Sequence, residues 1–260
     1  MNLSLLGKKA LVCGSTQGIG LAIAKELALL GATCILIARN EQSLQEAVAC
    51  LPHPEHGHSY AIADFSIPGA ALQAIRPILQ EGAIHVLINN TGGPPAGKIK
   101  DAQTAEFVSA IQLHLLNNHE LAQAVLSGMK TAQYGRIINI ISTSVKIPLP
   151  NLGVSNTTRA AVAAWSKTLA NEVAADGITV NNVLPGATST ARLSNIIQGK
   201  AAKNQVSAET VSEEMLHEIP MRRFGQAEEI AAMATFLATP AAAYITGQSI
   251  CVDGGRTGSI

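Results

Sequence analysis

Short apolar runs recur along the chain: A-L-V-C near residue 10, T-C-I-L-I-A near 33, H-V-L-I-N-N near 85, R-I-I-N-I-I near 136, I-T-V-N-N-V-L near 178 and S-I-C-V near 249. Alanine-rich segments of helical length separate them, and H-S-Y-A-I-A near 58 is a weaker seventh run. A strand that is apolar on both faces must be covered on both faces, which is the condition of a parallel sheet sandwiched between helices. Strand–helix alternation then requires right-handed crossovers, so the spacing predicts a doubly wound α/β fold. At 260 residues the chain is long enough for one such unit, and a single domain is expected. Ile230, Met233, Ala234 and Leu237 share one helical face, with Pro240 just past the stop.

The first run leads directly into C-G-S-T-Q-G-I-G and then L-A-I-A-K-E-L-A-L-L. Gly14, Gly18 and Gly20 allow a tight turn and let backbone N–H groups approach a pyrophosphate, which the positive end of the following helix also attracts. A strand, a glycine turn and a helix in that order predict nucleotide binding.

Charge and composition exclude other classes. Lysine plus arginine equal aspartate plus glutamate at 18 each, and aromatic residues are only 3%, whereas a nucleic-acid binder needs a basic face and stacking rings. The N-terminal stretch lacks the pattern of a secretory signal and no run is apolar for the length of a membrane span, so a cytoplasmic protein with no membrane partner is expected. Cys13, Cys34, Cys50 and Cys251 are scattered without metal-ligand spacing and are expected to be buried, reduced thiols. His53, His56 and His58 in P-H-P-E-H-G-H are close together, but the segment reads as a solvated loop and no metal site is expected.

The ordered set G-S-T-Q-G-I-G, N-N-T-G (89–92), G-R-I-I-N-I-I-S (135–142), L-P-G-A-T-S-T (184–190) and Y-I-T-G-Q-S-I-C-V-D-G-G (244–255) resembles the classical short-chain dehydrogenase/reductase family, in particular its 3-oxoacyl-carrier-protein-reductase-like members. The likeness covers essentially the whole chain. It implies a single-domain Rossmann-type sheet of seven parallel strands, a nicotinamide cofactor across the carboxyl ends of the strands, a small-molecule carbonyl or alcohol substrate, and commonly a homotetramer. It also implies cofactor contacts from Gly14, Ser15, Thr16, Gln17, Gly18, Ile19 and Gly20 at the phosphates and from Asp64 and Phe65 at the adenine. Asn90, Thr91 and Gly92 would follow along the ribose side, with Pro185, Gly186, Thr188 and Thr190 near the nicotinamide. At the end of the second strand A-R-N (38–40) offers Ala38 and Arg39 where an NAD enzyme wants a carboxylate for the ribose 2′-hydroxyl. A guanidinium beside an uncharged residue suits a 2′-phosphate, so NADP(H) is favoured over NAD(H).

The catalytic pattern departs from the family. Ser142 matches the family's serine, but thirteen residues later Ser155 replaces the tyrosine, and four beyond that Arg159 replaces the lysine. His114 falls where the asparagine of the preceding helix is expected. A serine hydroxyl is a far weaker acid than a phenol, and arginine keeps the charge without relaying protons. Arg159 should therefore still hold ribose hydroxyls while the usual proton transfer is impaired. His114, if it titrates near neutral pH, and Lys146, on the loop after Ser142, are the candidate replacement donors. The sequence thus predicts either a reductase with a non-standard donor or a cofactor-binding homologue without turnover, acting as a sensor or partner subunit. G-G-P-P-A-G (92–97) reads as a stiff pocket wall, Trp165 as a space-filler along the helix after Arg159, and the polar region 187–220 as a mobile substrate lid rather than core.

Overall fold

The computed structural model describes residues 1–259. Seven strands, β1 (Lys9–Cys13), β2 (Thr33–Ala38), β3 (Ser59–Ile62), β4 (Val86–Asn89), β5 (Gly135–Ile140), β6 (Ile178–Pro185) and β7 (Ser249–Val252), form one sheet in the order β3-β2-β1-β4-β5-β6-β7. All six pairings are parallel. Helices α1 (Gly18–Leu29), α2 (Glu41–Ala49) and α9 (Ala227–Ala238) cover one face, where Ile23, Leu27, Leu44, Ile230 and Leu237 are buried. Helices α3 (Ala70–Gln80), α5 (Asn117–Thr131) and α6 (Gly153–Val173) cover the other through Ile75, Leu121, Val125, Met129 and Val173. Burial on both faces is why β1, β2 and β4 are almost continuously apolar. The winding direction reverses between β1 and β4, so the crevice at their carboxyl ends is the place for a ligand.

One row through the sheet is polar instead. Asn89, Asn139, Asn182 and Ser249 share a register across β4 to β7. Asn89 donates to Asn139 at 2.8 Å, Asn139 to Asn182 at 3.0 Å, and Asn182 to the Ser249 hydroxyl at 3.1 Å. Each amide is desolvated, so an unpaired member would cost about 1–3 kcal/mol, and the chain of bonds fixes strand register where apolar packing alone would allow slippage.

Region 187–220 is helical. It folds as α7 (Ala191–Asn204) and α8 (Ala208–His217), with Leu193, Ile197, Ala201 and Val211 buried in a small apolar cluster of their own. Residues 193, 197 and 201 recur every four, placing them on one helical stripe; the polar residues between them face out. The cysteine expectation needs correcting: Cys13 and Cys34 are buried and burial pushes both thiols up, but Cys50 is exposed and Cys251 half-buried. His58 accepts from the backbone N–H of Cys34 at 3.0 Å and bonds the Pro52 carbonyl at 2.8 Å, tying loop 52–58 to β2. Trp165 is half-buried and donates to His119 at 3.3 Å. Among the described residues no helix is long and apolar enough to cross a membrane.

Candidate active site

The glycine turn after β1 is locked from two sides. Gly14 and Gly18 are left-handed, at φ +59° and +55°, and the Asn90 side chain donates to the carbonyls of Cys13 and Gly14 at 3.3 and 3.1 Å. Gln17, at the start of α1, makes no side-chain cap and the first turn of α1 carries no acid, so no local side chain satisfies the helix's free N–H groups. An unblocked helix end beside a glycine turn is a site for phosphate, and these residues fit a dinucleotide. Ser15 is fully buried with its hydroxyl unpartnered, while Thr16 in the turn and Ile19 in the first turn of α1 are half-buried.

Beyond β2 lies a cavity of about 760 Å³ lined by Arg39, Asn40, Ala63, Asp64 and Gln73, among others. Asp64 accepts from the hydroxyl and backbone N–H of Ser66 at 2.7 and 2.8 Å, and these bonds, helped by the Arg39 charge, hold its carboxyl below the usual range. Arg39 is exposed and in no ion pair among the described residues. Phe65 is buried and its carbonyl accepts from Asn117 at 2.6 Å.

After β6 the chain turns at Pro185 and Gly186. A Cβ at Gly186 would lie 2.7 Å from Asp253, so only glycine lets the C-terminal segment pass. The Thr188 hydroxyl donates to Gly186 at 3.1 Å, and Thr190 caps α7 by accepting from Leu193 at 3.4 Å. A Cβ at Gly18 would meet the Thr190 methyl at 3.4 Å, which sets the start of α7 over the glycine turn.

Ser142 is half-buried and starts a short 3-10 turn, accepting from the Ser144 N–H at 3.1 Å. Ser155 and Arg159 lie on consecutive turns of α6 and are both buried. The start of α6 is stitched to loop 92–97, with Gly97 N–H donating to Asn151 at 2.8 Å and Gly153 N–H to Gly97 at 3.1 Å. Arg159 Nη1 donates to the Ile140 carbonyl at 2.9 Å while its Nε is buried without a partner. Burial, then the neighbouring Arg192, pushes its pKa down to about 10, so it stays cationic at neutral pH. Lys146 is exposed and makes no side-chain hydrogen bond or ion pair among the described residues, the geometry of a solvated lysine.

His114 sits in a π-helical turn, Gln112–Leu116, between α4 (Thr104–Ile111) and α5. The wider turn breaks the helical register beside the cleft. Its Nδ1 lies 2.8 Å from the Thr91 hydroxyl and its Nε2 is buried without a partner. Burial first, then Arg159 and Arg192, pushes its pKa down to about 2. Burial and the two arginines therefore argue against the expectation that His114 titrates near neutral pH: they favour the neutral imidazole, which can hydrogen-bond, over an imidazolium donor.

That neutrality has a stability signature. Below pH 6.5 the unfolded chain protonates this histidine while the folded chain does not, so stability falls as pH drops from 6.5 towards 2, by at most about 1.4 kcal/mol per unit. His114→Asn should lose less stability than the parent between pH 7 and 4.5, with a difference of up to about 2.7 kcal/mol. Urea unfolding at both pH values checks this, and equal losses in the two proteins would refute the neutral assignment.

The residue that sequence reading missed is Arg192. It projects from the first turn of α7 across to loop 92–97, donating to Gly93 at 3.1 Å and to Pro94 at 3.5 Å. Its position after a Thr-capped helix start is visible in sequence; its partners, almost a hundred residues away, are not.

The family model described as enoyl-(acyl carrier protein) reductase matches residues 14–257. The 3-oxoacyl-acyl-carrier-protein reductase FabG of Vibrio harveyi is 35% identical over 97% of this chain and 98% of that relative. The NADPH-dependent reductase BacG of Bacillus subtilis is 32% identical over 97% of this chain and 99% of its own length. L-sorbose reductase from Gluconobacter frateurii, solved with NADPH and L-sorbose, superimposes with a TM-score of 0.93 at 30% identity over the full length of both chains.

Proposed function

This chain belongs to the short-chain dehydrogenase/reductase family, and on that premise we propose that it is an NADP(H)-dependent oxidoreductase that reduces the carbonyl of a small molecule. The observation that carries the reading is the complete cofactor cradle, an intact glycine turn pinned by Asn90 and an uncapped α1, joined to a cleft that keeps Ser142 and a buried cation. The names of the relatives agree with it: BacG is NADPH-dependent and FabG reduces a 3-oxoacyl group.

When bound, the cofactor supplies a hydride to the carbonyl carbon. Gly14 to Gly20 hold the phosphates, Asp64 and Phe65 border the adenine, and Asn90, Thr91, Gly92 and Arg159 hold the ribose side. Pro185, Gly186, Thr188 and Thr190 form the nicotinamide wall, and the α7–α8 hairpin is the lid over the substrate. Ser142 orients the carbonyl oxygen. The fixed charge of Arg159 stabilises the alkoxide that develops there, an electrostatic role that needs no proton transfer of its own. The Ser155 hydroxyl hydrogen-bonds that oxygen, and the proton comes from water. Neutral His114 holds Thr91 in place and Lys146 stays in solvent.

Arg39 decides the cofactor. NADPH should bind at least about tenfold more tightly than NADH, because a bidentate guanidinium–phosphate contact is lost with NADH, and Arg39→Asp should reverse the order by giving the 2′-hydroxyl an acceptor. Titration calorimetry with both cofactors tests this; equal affinities in the parent protein would refute it. An NADPH-oxidation screen over varied carbonyls tests the activity, and a screen without turnover above background would return the chain to a cofactor-binding role alone.

A further inference from the structure

Arg159 and Arg192 come from helices on different sides of the cleft and converge on one glycine. A Cβ built on Gly93 would lie 2.5 Å from Nη2 of Arg192 and 3.5 Å from Nη2 of Arg159. Neither guanidinium is in an ion pair, among the described residues, with any carboxylate. Arg159 is 8% exposed, spends one N–H on Ile140 and leaves Nε without a partner. Arg192 reaches in from the cleft mouth and spends its bonds on the Gly93 and Pro94 carbonyls. Added to burial, the Arg192 charge lowers the basicity of Arg159, and both charges lower that of His114, so both fields act on the same small volume.

Two cations at close range, one desolvated, repel unless a negative group lies between them, and none of the described residues supplies one. Helix α7 begins with no acid in its first turn, so no local carboxylate offsets Arg192. Each guanidinium presents a planar fork of N–H donors suited to the paired oxygens of a carboxylate or phosphate. Loop 92–97 is anchored at its other end to α6, so the two forks are held on a wall already braced at Gly97.

We propose that Arg159 and Arg192 form a subsite for an anionic group, carboxylate or phosphate, carried by the carbonyl substrate. The assignment rests on reading this cleft as the carbonyl-reducing site, and it narrows the substrate from carbonyl compounds at large to short oxo acids or oxo phosphate esters. Arg159 then has two tasks, the ribose side of the cofactor and the inner edge of the anion. Arg192 serves the anion alone and is the specificity-determining residue.

The test is calorimetric, with malonate, inorganic phosphate and neutral malonamide as probes, with and without saturating NADP⁺. One of the two anions should bind in both states, with affinity reduced about tenfold or more in Arg192→Gln, while malonamide should give no signal. Preference for malonate assigns a carboxylate and preference for phosphate assigns a phosphate ester. Arg192 is exposed, so its variant should fold, and an unchanged melting temperature verifies that. A kinetic arm compares NADPH-dependent reduction of acetoacetate with that of its methyl ester: the acid should be favoured by about tenfold in kcat/KM where a carboxylate is read, and Arg192→Gln should shrink the ratio towards one. No binding of either anion, binding indifferent to Arg192→Gln, or binding abolished by NADP⁺ would overturn the subsite, the last because the arginines would then be serving cofactor phosphate. Anion binding without turnover of any carbonyl would keep the subsite and remove the reductase reading. Equal turnover of acid and ester with no calorimetric signal would do the reverse.

Discussion

Ser155→Tyr combined with Arg159→Lys should raise NADPH-dependent reduction of a neutral activated ketone by about 10²–10⁴-fold, the usual worth of a positioned general acid. The pocket around these positions is intact: Ser142 is held by Ser144, and the start of α6 is stitched to loop 92–97. What the parent lacks is an acid of suitable strength. A phenol starts near pKa 10 and a neighbouring ammonium lowers it, whereas a serine hydroxyl donates poorly at any working pH. The second change is needed because a lysine's ammonium can be tuned and can pass on a proton, whereas arginine stays protonated. Ser155 is only 8% exposed, so the tyrosine ring must extend into the cleft rather than the core, and a melting temperature close to the parent's would show that it does. Cofactor affinity must be measured in each variant, since Arg159 also faces the ribose side. A double variant that folds and binds NADPH but reduces the ketone no faster than the parent would show that proton supply is not what limits this site. For an acidic substrate the same change should lower the preference, because it removes one of the two forks.

The difference between what the sequence revealed and what it hid is one of range. Strands and the glycine turn declare themselves locally: β1 and β2 are buried on both faces, so their apolar runs are continuous, and Gly14 and Gly18 occupy left-handed positions that favour glycine. The α7–α8 hairpin was obscured because its apolar residues recur only every fourth position in a polar background, and a cluster as small as Leu193, Ile197, Ala201 and Val211 barely shifts the composition. His114 looked like a titrating group because a sequence carries no dielectric; its burial and the two nearby arginines exist only after folding. For Arg192 only the Thr-capped helix start before it is local, since its meaning depends on α7 crossing to Gly93 and Pro94. Ser155 and Arg159 are marked out by their spacing from Ser142 alone, and the fold sets both on consecutive buried turns of α6.

Gly20→Ala and Gly199→Ala place the same methyl in two helices and should act in opposite directions. In an unobstructed helix the change is worth about 1 kcal/mol of added stability. Gly199 lies within α7 with nothing within 4 Å of its Cβ, so Gly199→Ala should raise stability by about that amount. Gly20 lies in α1 and is also helical, yet its Cβ would sit 2.2 Å from the Gly14 carbonyl oxygen and 2.7 Å from the Asn90 amide. Neither neighbour is free to move: Gly14 is the left-handed hinge of the turn, and Asn90 bonds the carbonyls of Cys13 and Gly14 that define it. Overpacking of this kind costs about 3 kcal/mol, which outweighs the helical gain. The relief available is for α1 to back away from β1, carrying its N–H groups off the phosphate position, so affinity for NADPH and NADH should fall together by about 100-fold. Chemical denaturation and cofactor titration of both variants check the pair. Gly20→Ala with NADPH affinity close to the parent's would mean that the turn yields without cost, and the cradle would then be looser than these contacts require.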